Sequence, residues 1–104
     1  MISHLIQFNL KPDIESDDRE WILNQVKGLS KVPTVKRFTL GKLLDPKEEW
    51  YKPRMSAEFG WVVTIEFENE DGLYAYQKDP FHVVVAQEIR RRVTNIKVSD
   101  FVSV

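Results

Sequence analysis

The sequence predicts an α+β fold in which an antiparallel sheet carries helices on one face. Two observations indicate this class. Four segments alternate apolar and polar residues with the two-residue period of strands, and two segments repeat apolar residues with helical spacing. Their order along the chain is β-α-β-β-α-β, which is the ferredoxin-like arrangement. The length of 104 residues fits one domain spanning residues 1–104.

The first strand is predicted over residues 2–10, and a helix follows it. One face of the strand carries Ile2, His4, Ile6, Phe8 and Leu10. This alternation predicts that one side of the sheet is buried, with His4 on that side. The helix is predicted to run to about residue 29, because Asp17 and Glu20 have the spacing of a capping box and an apolar stripe follows, made of Ile22, Val26 and Leu29.

The middle of the chain predicts two further strands separated by a long connection. The second strand is predicted over residues 34–40, with Phe38 and Leu40 on its apolar face. No period holds from 41 to about 58, and a connection of that length is typically a lid, a partner contact or disordered. The third strand has one apolar face formed by Trp61, Val63, Ile65 and Phe67.

The second helical region is predicted to be interrupted at Asp79-Pro80. Asn69 is a suitable N-cap for its first part, which carries Tyr76. Asp79 followed by Pro80 reads as a new N-cap and a proline at the first helical position, where the missing N–H has no cost. A final strand is predicted over residues 93–104, with one face formed by Ile96, Val98 and Val102.

His82 lies in the first turn of the helix that starts at Pro80. It shares an apolar stripe with Ala86, Ile89 and Val93, so the imidazole is predicted to project from an apolar face. Low hydration and the positive end of the helix dipole both favour the neutral ring, which can act as a base near neutral pH. The structural alternative is a histidine that fills the stripe and bonds a neighbouring carbonyl.

Composition excludes several classes of function. The 15 basic and 16 acidic residues give a net charge of −1, so nucleic-acid binding is not expected. The absence of cysteine excludes disulfides and thiolate catalysis, and with two histidines we predict no protein-only metal site and no cofactor. No signal peptide or membrane-spanning run is recognised, so we expect a cytoplasmic protein. The run from Arg90 to Arg92 is predicted to be solvated at a helix C-terminus, with binding of an anionic partner as the alternative.

The second face of the predicted sheet indicates a partner. The helical segments can cover only one face, and apolar residues also occur on the opposite one, at Leu5, Val35 and Phe101. A symmetric homodimer with sheets face to face would bury this surface.

Three segments resemble the stress-responsive A/B barrel domain family, also called dimeric α+β barrel proteins. They are His4-Leu5-Ile6 with Phe8, residues 64–68 of the third strand, and Tyr76-Gln77-Lys78-Asp79-Pro80-Phe81-His82. The last is similar to the family's Tyr-x-x-His-Pro-x-His motif. Two positions depart from the family pattern: Asp79 replaces the first histidine of that motif, and Trp61 stands where some members carry a histidine.

The resemblance implies a dimer through the sheet and a small apolar cavity between sheet and helices. In a plant member that cyclises a polyketide, the matching residues surround this cavity, so His82 is predicted as general base, Tyr76 as the polarising group and His4 as an auxiliary donor. Phe8, Trp61 and Phe81 are the predicted substrate contacts, and Trp61 would fill part of the cavity.

Three functions follow as hypotheses. The first is a cofactor-independent lyase or cyclase that abstracts a proton from a ketone or polyketide-like small molecule. The second is a non-catalytic homodimer that binds a small apolar or aromatic ligand or protects against stress. The third is an oxygenase or isomerase, whose haem version would use His82 as axial ligand without other support in the sequence.

Overall fold

The computed structural model describes residues 1–104 and has the predicted α+β fold. The strands and helices are β1 (Ile2–Leu10), α1 (Ser16–Gly28), β2 (Arg37–Lys42), β3 (Trp61–Phe67), α2 (Glu70–Lys78), α3 (Pro80–Arg90) and β4 (Val93–Val102). Short 3₁₀ turns occupy Leu29–Lys31 and Lys52–Arg54. The four strands form one antiparallel sheet in the order β2-β3-β1-β4, as a ferredoxin-like fold requires.

Two local predictions were wrong. The N-cap residue of α1 is Glu15, whose carbonyl accepts from the Arg19 amide at 2.9 Å, so no capping box forms between Asp17 and Glu20. Asp17 instead lies in the first turn, where its charge complements the helix dipole. Strand β2 begins at residue 37 rather than 34, because the Val35 amide donates to the Val32 carbonyl at 3.0 Å and closes a turn.

The sheet register determines which residues face the helices. His4 lies opposite Ile65 on one side and Asp100 on the other, so the three share the helix-covered face. The deepest core side chains on this face belong to β1, β3 and α2; they are Phe8, Val63, Ile65, Phe67 and Tyr76. Edge strand β4 is less covered, since its helix-facing Ile96 and Val98 remain 44% and 51% exposed.

The predicted joint between α2 and α3 is confirmed. The Asn69 side chain accepts from the Gly72 amide at 3.0 Å and caps α2. Asp79 ends α2 and caps α3, because its side chain accepts a hydrogen bond from the Phe81 amide at 2.9 Å. Pro80 follows it at the first helical position. None of the helices is both long enough and apolar enough to cross a membrane.

The other face of the sheet carries a mixed surface. Leu5 and Val62 are half-buried there, whereas Phe101 is 54% exposed. Arg37 and Glu66 form an ion pair on the same face, with their Nε and Oε2 atoms 3.3 Å apart.

Candidate active site

A cavity of about 330 Å³ lies between helices α1 and α3 and strands β1, β3 and β4. Its apolar wall comes mainly from β1, α3 and β4, through Ile6, Phe8, Ala86, Ile89, Ile96 and Val98. Its polar groups include His4, Tyr76, His82 and Asp100. The exposure of the β4 residues means that the cavity opens along this edge strand. An apolar space with a few convergent polar groups is the usual form of a small-molecule site.

Tyr76 is the most unusual of these residues. It is fully buried, and its hydroxyl has no hydrogen-bond partner in the protein. Burial raises the pKa of Tyr76 well above its usual value, so the hydroxyl keeps its proton and remains a hydrogen-bond donor. A buried hydroxyl without a partner is costly, and one that lines a cavity is satisfied most simply by a polar atom of a ligand.

His82 stacks beside Tyr76, with the ring centroids 4.3 Å apart. Its Nδ1 lies 3.1 Å from the Gln77 carbonyl oxygen. Because a carbonyl can only accept, Nδ1 carries the proton and the lone pair of the neutral ring is on Nε2, which has no protein partner. The structural alternative, a bond to a neighbouring carbonyl, is therefore present but occupies only one ring nitrogen.

The pKa of His82 is lowered, chiefly by burial. The hydrogen bond to the Gln77 carbonyl raises the pKa, while electrostatic interactions with His4 and Arg90 lower it further. Since the net effect lowers a value that is ordinarily near 6.5, the ring is neutral at neutral pH and available as a base.

His4 is held by a residue that the sequence did not single out. It is buried, and its Nδ1 is in short hydrogen-bond contact with Asp100 Oδ1. The carboxylate therefore fixes the ring orientation and the Nδ1 proton. The sequence did carry one sign of this residue: Asp100 interrupts the alternating apolar series Ile96, Val98 and Val102. Its pairing with His4, however, follows only from the register of β1 with β4.

The structure brings together four of the six predicted site residues. His4, Tyr76, His82 and Phe8 all line the cavity, with the rings of His4 and Tyr76 6.0 Å apart. Trp61 and Phe81 do not line it.

Trp61 does not line the cavity, although its strand partner Phe8 does. It is paired with Phe8 and Lys42, and the Lys42 ammonium is 5.9 Å from the ring centroid. Phe81 instead faces α1, where a Cβ added at Gly28 would lie 3.0 Å from its ring. The substrate contacts predicted for these two aromatics therefore have no support in the cavity lining.

The basic run at the end of α3 is not uniformly solvated. Arg92 Nε lies 3.0 Å from both carboxylate oxygens of Asp18, and Nη1 lies 2.7 Å from Glu88 Oε2. Its guanidinium also lies 4.9 Å from the ring centroid of Trp21. Arg92 thus ties α1 to the junction between α3 and β4, and the prediction of a solvated run was wrong for this residue. No group of three or more histidine, aspartate or glutamate side chains is placed to hold a metal ion.

Fold and cavity together define a ferredoxin-like α+β protein with an internal site of two histidines and a tyrosine. The family model described as "Stress responsive A/B Barrel Domain" matches residues 2–103. The chain belongs to this family, and the resemblance noted in the sequence is confirmed.

Solved structures with the same fold include proteins of different activities. A Dabb family protein with a ferredoxin-like fold from Mesorhizobium loti has 23% identity and a TM-score of 0.79 over 99% of this chain and 96% of its own. Hydroxynitrile lyase from Passiflora edulis has 16% identity and a TM-score of 0.84 over 98% and 92%. A cofactor-independent oxygenase from Streptomyces nogalater has 12% identity and a TM-score of 0.69 over 98% and 91%. No curated protein matches the sequence significantly.

Proposed function

We propose that this protein is a cofactor-independent lyase or cyclase that removes a proton from an acidic carbon of a ketone or polyketide-like small molecule. The observation that carries the proposal is Tyr76, which lines the cavity beside His82 and whose buried hydroxyl lacks a protein partner. A substrate carbonyl oxygen would accept from this hydroxyl and complete its hydrogen bonding.

The proposed chemistry starts with the Nε2 lone pair of His82. Nε2 takes the proton from the carbon next to the carbonyl, and the electron pair of that C–H bond moves into an enolate. Negative charge develops on the carbonyl oxygen, where the Tyr76 hydroxyl donates a hydrogen bond. The enolate carbon then attacks a second carbonyl of the same molecule, which closes a ring and leaves an alkoxide.

The alkoxide is neutralised by a proton from the site. The His82 imidazolium can return its proton to the alkoxide. Run in reverse, the same groups would break a carbon–carbon bond, which is a lyase reaction. The hydroxynitrile lyase from Passiflora edulis and the cofactor-independent oxygenase from Streptomyces nogalater support this proposal in one respect: the shared fold can carry catalysis.

The protein is further proposed to be a homodimer joined through the open face of the sheet. That face carries Leu5, Val62 and Phe101, which no helix of the same chain covers. Structural neighbours from Thermobifida fusca and a Jannaschia species are described as dimeric ferredoxin-like proteins, with 20% and 19% identity.

Proton exchange tests the catalytic proposal without knowledge of the natural substrate. A panel of neutral ketones and 1,3-diketones is incubated in D₂O, and deuterium incorporation at the acidic carbon is followed by NMR. The wild type should accelerate exchange of at least one ketone, and His82→Gln should reduce that rate by about 10²–10⁴-fold, because glutamine cannot take the proton.

Val84→Ala is the matched control, since Val84 lies on α3, is 56% exposed and does not line the cavity. This variant should keep the wild-type rate. A folded His82→Gln protein with unchanged exchange would exclude His82 as the base. Tight binding of a ketone with no exchange would identify a non-catalytic binding protein.

A further inference from the structure

Arg90 is a solvent-exposed cation that lines the cavity and has no partner in the protein. It lines the same cavity as His82, but its guanidinium takes part in no hydrogen bond, ion pair or ring contact. Its two neighbours differ, because Arg91 pairs with Glu88 at 3.3 Å and Arg92 bonds both Asp18 and Glu88.

The position of Arg90 on α3 places its charge toward the site. It is eight residues after His82, which corresponds to about 12 Å along a helix. Long helical side chains lean toward the helix N-terminus, so we expect the Arg90 side chain to lean over the cavity rather than away from it. The effect of Arg90 on the His82 pKa agrees with this direction.

The wall between the two ends is apolar. Ala86 and Ile89 of α3 face Ile6 of β1 and Val98 of β4 across the cavity. Asp100 carries the negative charge at the His82 end, which disfavours an anion there. The cavity is therefore polarised, with groups for proton transfer and a carboxylate at one end and an unpaired cation at the other.

We infer that the substrate is an elongated keto acid, with its reacting carbonyl at Tyr76 and a carboxylate held by Arg90. A guanidinium matches a carboxylate through two parallel hydrogen bonds. A single cation neutralises a monoanion, whereas a phosphate dianion would need further donors. The inference rests on the proposed function, because it assigns the substrate class of the same cavity.

Paired binding measurements test this inference. Methyl ketones of the oxo-alkanoate series are titrated by calorimetry at low ionic strength, each as the carboxylate and as its primary amide of nearly equal shape. The wild type should bind the best carboxylate about tenfold more tightly than its amide, because the carboxylate is charged and accepts two parallel hydrogen bonds from the guanidinium, whereas the amide oxygen is uncharged. Arg90→Gln should remove this preference, chiefly by weakening binding of the carboxylate.

Arg91→Gln is the matched control, because it removes the same charge one residue away and outside the cavity lining. It should keep the preference for the carboxylate. The inference is overturned if the wild type shows no preference, if the preference survives in Arg90→Gln or disappears in Arg91→Gln, or if no member of either series binds.

Failure of this inference and failure of the proposed function give different results. Equal binding of acid and amide, together with His82-dependent exchange of neutral ketones, would reject the carboxylate and keep the catalytic proposal. An Arg90-dependent preference without any exchange would reject catalysis and leave a cavity that binds keto acids.

Discussion

Tyr76 keeps a fully buried hydroxyl that no protein atom satisfies, although the residue packs closely against Phe67, with ring centroids 5.1 Å apart. Such a group lowers the stability of the free protein, and a ligand atom that accepts its hydrogen bond would remove this cost. The neighbouring histidines also have unused hydrogen-bonding capacity, because each has one ring nitrogen fixed by the protein and the other without a protein partner. Together the three residues present two potential proton acceptors and one donor toward a shared space.

Tyr76→Phe should reduce activity without reducing stability. Loss of the unsatisfied hydroxyl should leave the free energy of unfolding unchanged or raise it by about 1 kcal/mol. Proton exchange should fall by about 10²–10³-fold, because the enolate loses its hydrogen-bond donor. Denaturant unfolding and the D₂O exchange assay measure the two effects.

Tyr74→Phe provides the comparison, since the Tyr74 hydroxyl is exposed on the same helix and donates to Glu70 at 2.7 Å. It should leave exchange unchanged. A Tyr76→Phe protein with wild-type exchange would show that the hydroxyl has no part in the reaction.

At the scale of elements, the joint between α2 and α3 positions the site. Tyr76 comes from the last turns of α2 and His82 from the first turn of α3, with Asp79 capping the second helix between them. The Gln77 carbonyl that orients His82 lies near the C-terminal end of α2, where helix carbonyls lack intrahelical partners. The break in the helical region therefore creates both the approach of the two rings and the hydrogen bond that selects the tautomer.

Much of this element-level structure was predictable from the sequence. Asp79-Pro80 carries its own cap and start signals, and β1 and β3 alternate clearly, so their bounds were predicted closely. The start of β2 was missed because a turn at 32–35 has no distinctive turn residue beyond Pro33. Asp100 and Arg90 were missed as cavity-lining residues because their positions beside the cavity depend on strand register and helix packing, which no local pattern encodes.

Removal of the two helix caps should have similar effects on stability and different effects on activity. Asn69→Ala and Asp79→Ala each remove a side-chain acceptor from a helix N-terminus, so each should lower the free energy of unfolding by about 1 kcal/mol. Only Asp79→Ala should also slow exchange, because it loosens the turn that carries His82. Equal exchange rates in the two variants, measured by the same assay, would show that the joint between α2 and α3 does not influence proton exchange.

At the scale of the whole molecule, the two faces of the sheet have different roles. One face holds the core and the cavity, and the other presents Leu5, Val62 and Phe101 without a covering layer. Face-to-face packing of two sheets would bury this apolar surface while leaving the cavity accessible along β4.

Leu5→Asp should shift the proposed dimer toward monomer, because a carboxylate would be buried in the interface. Light scattering coupled to size-exclusion chromatography measures the mass directly. Val84→Asp introduces the same charge on the exposed side of α3 and should leave the mass at that of a dimer. A monomeric wild type, or a Leu5→Asp variant that remains dimeric, would contradict the proposed interface.

The most direct test of proton abstraction by His82 is the pH dependence of ketone exchange, measured beside a ¹⁵N NMR titration of the His82 ring. A base must be unprotonated to act, so the rate should rise with pH as His82 loses its proton and level off above its pKa. Because burial lowers the pKa of His82, both midpoints should coincide below the ordinary value of about 6.5. A rate that is independent of pH through the titration of His82, or that rises at a different pH, would contradict the proposed mechanism.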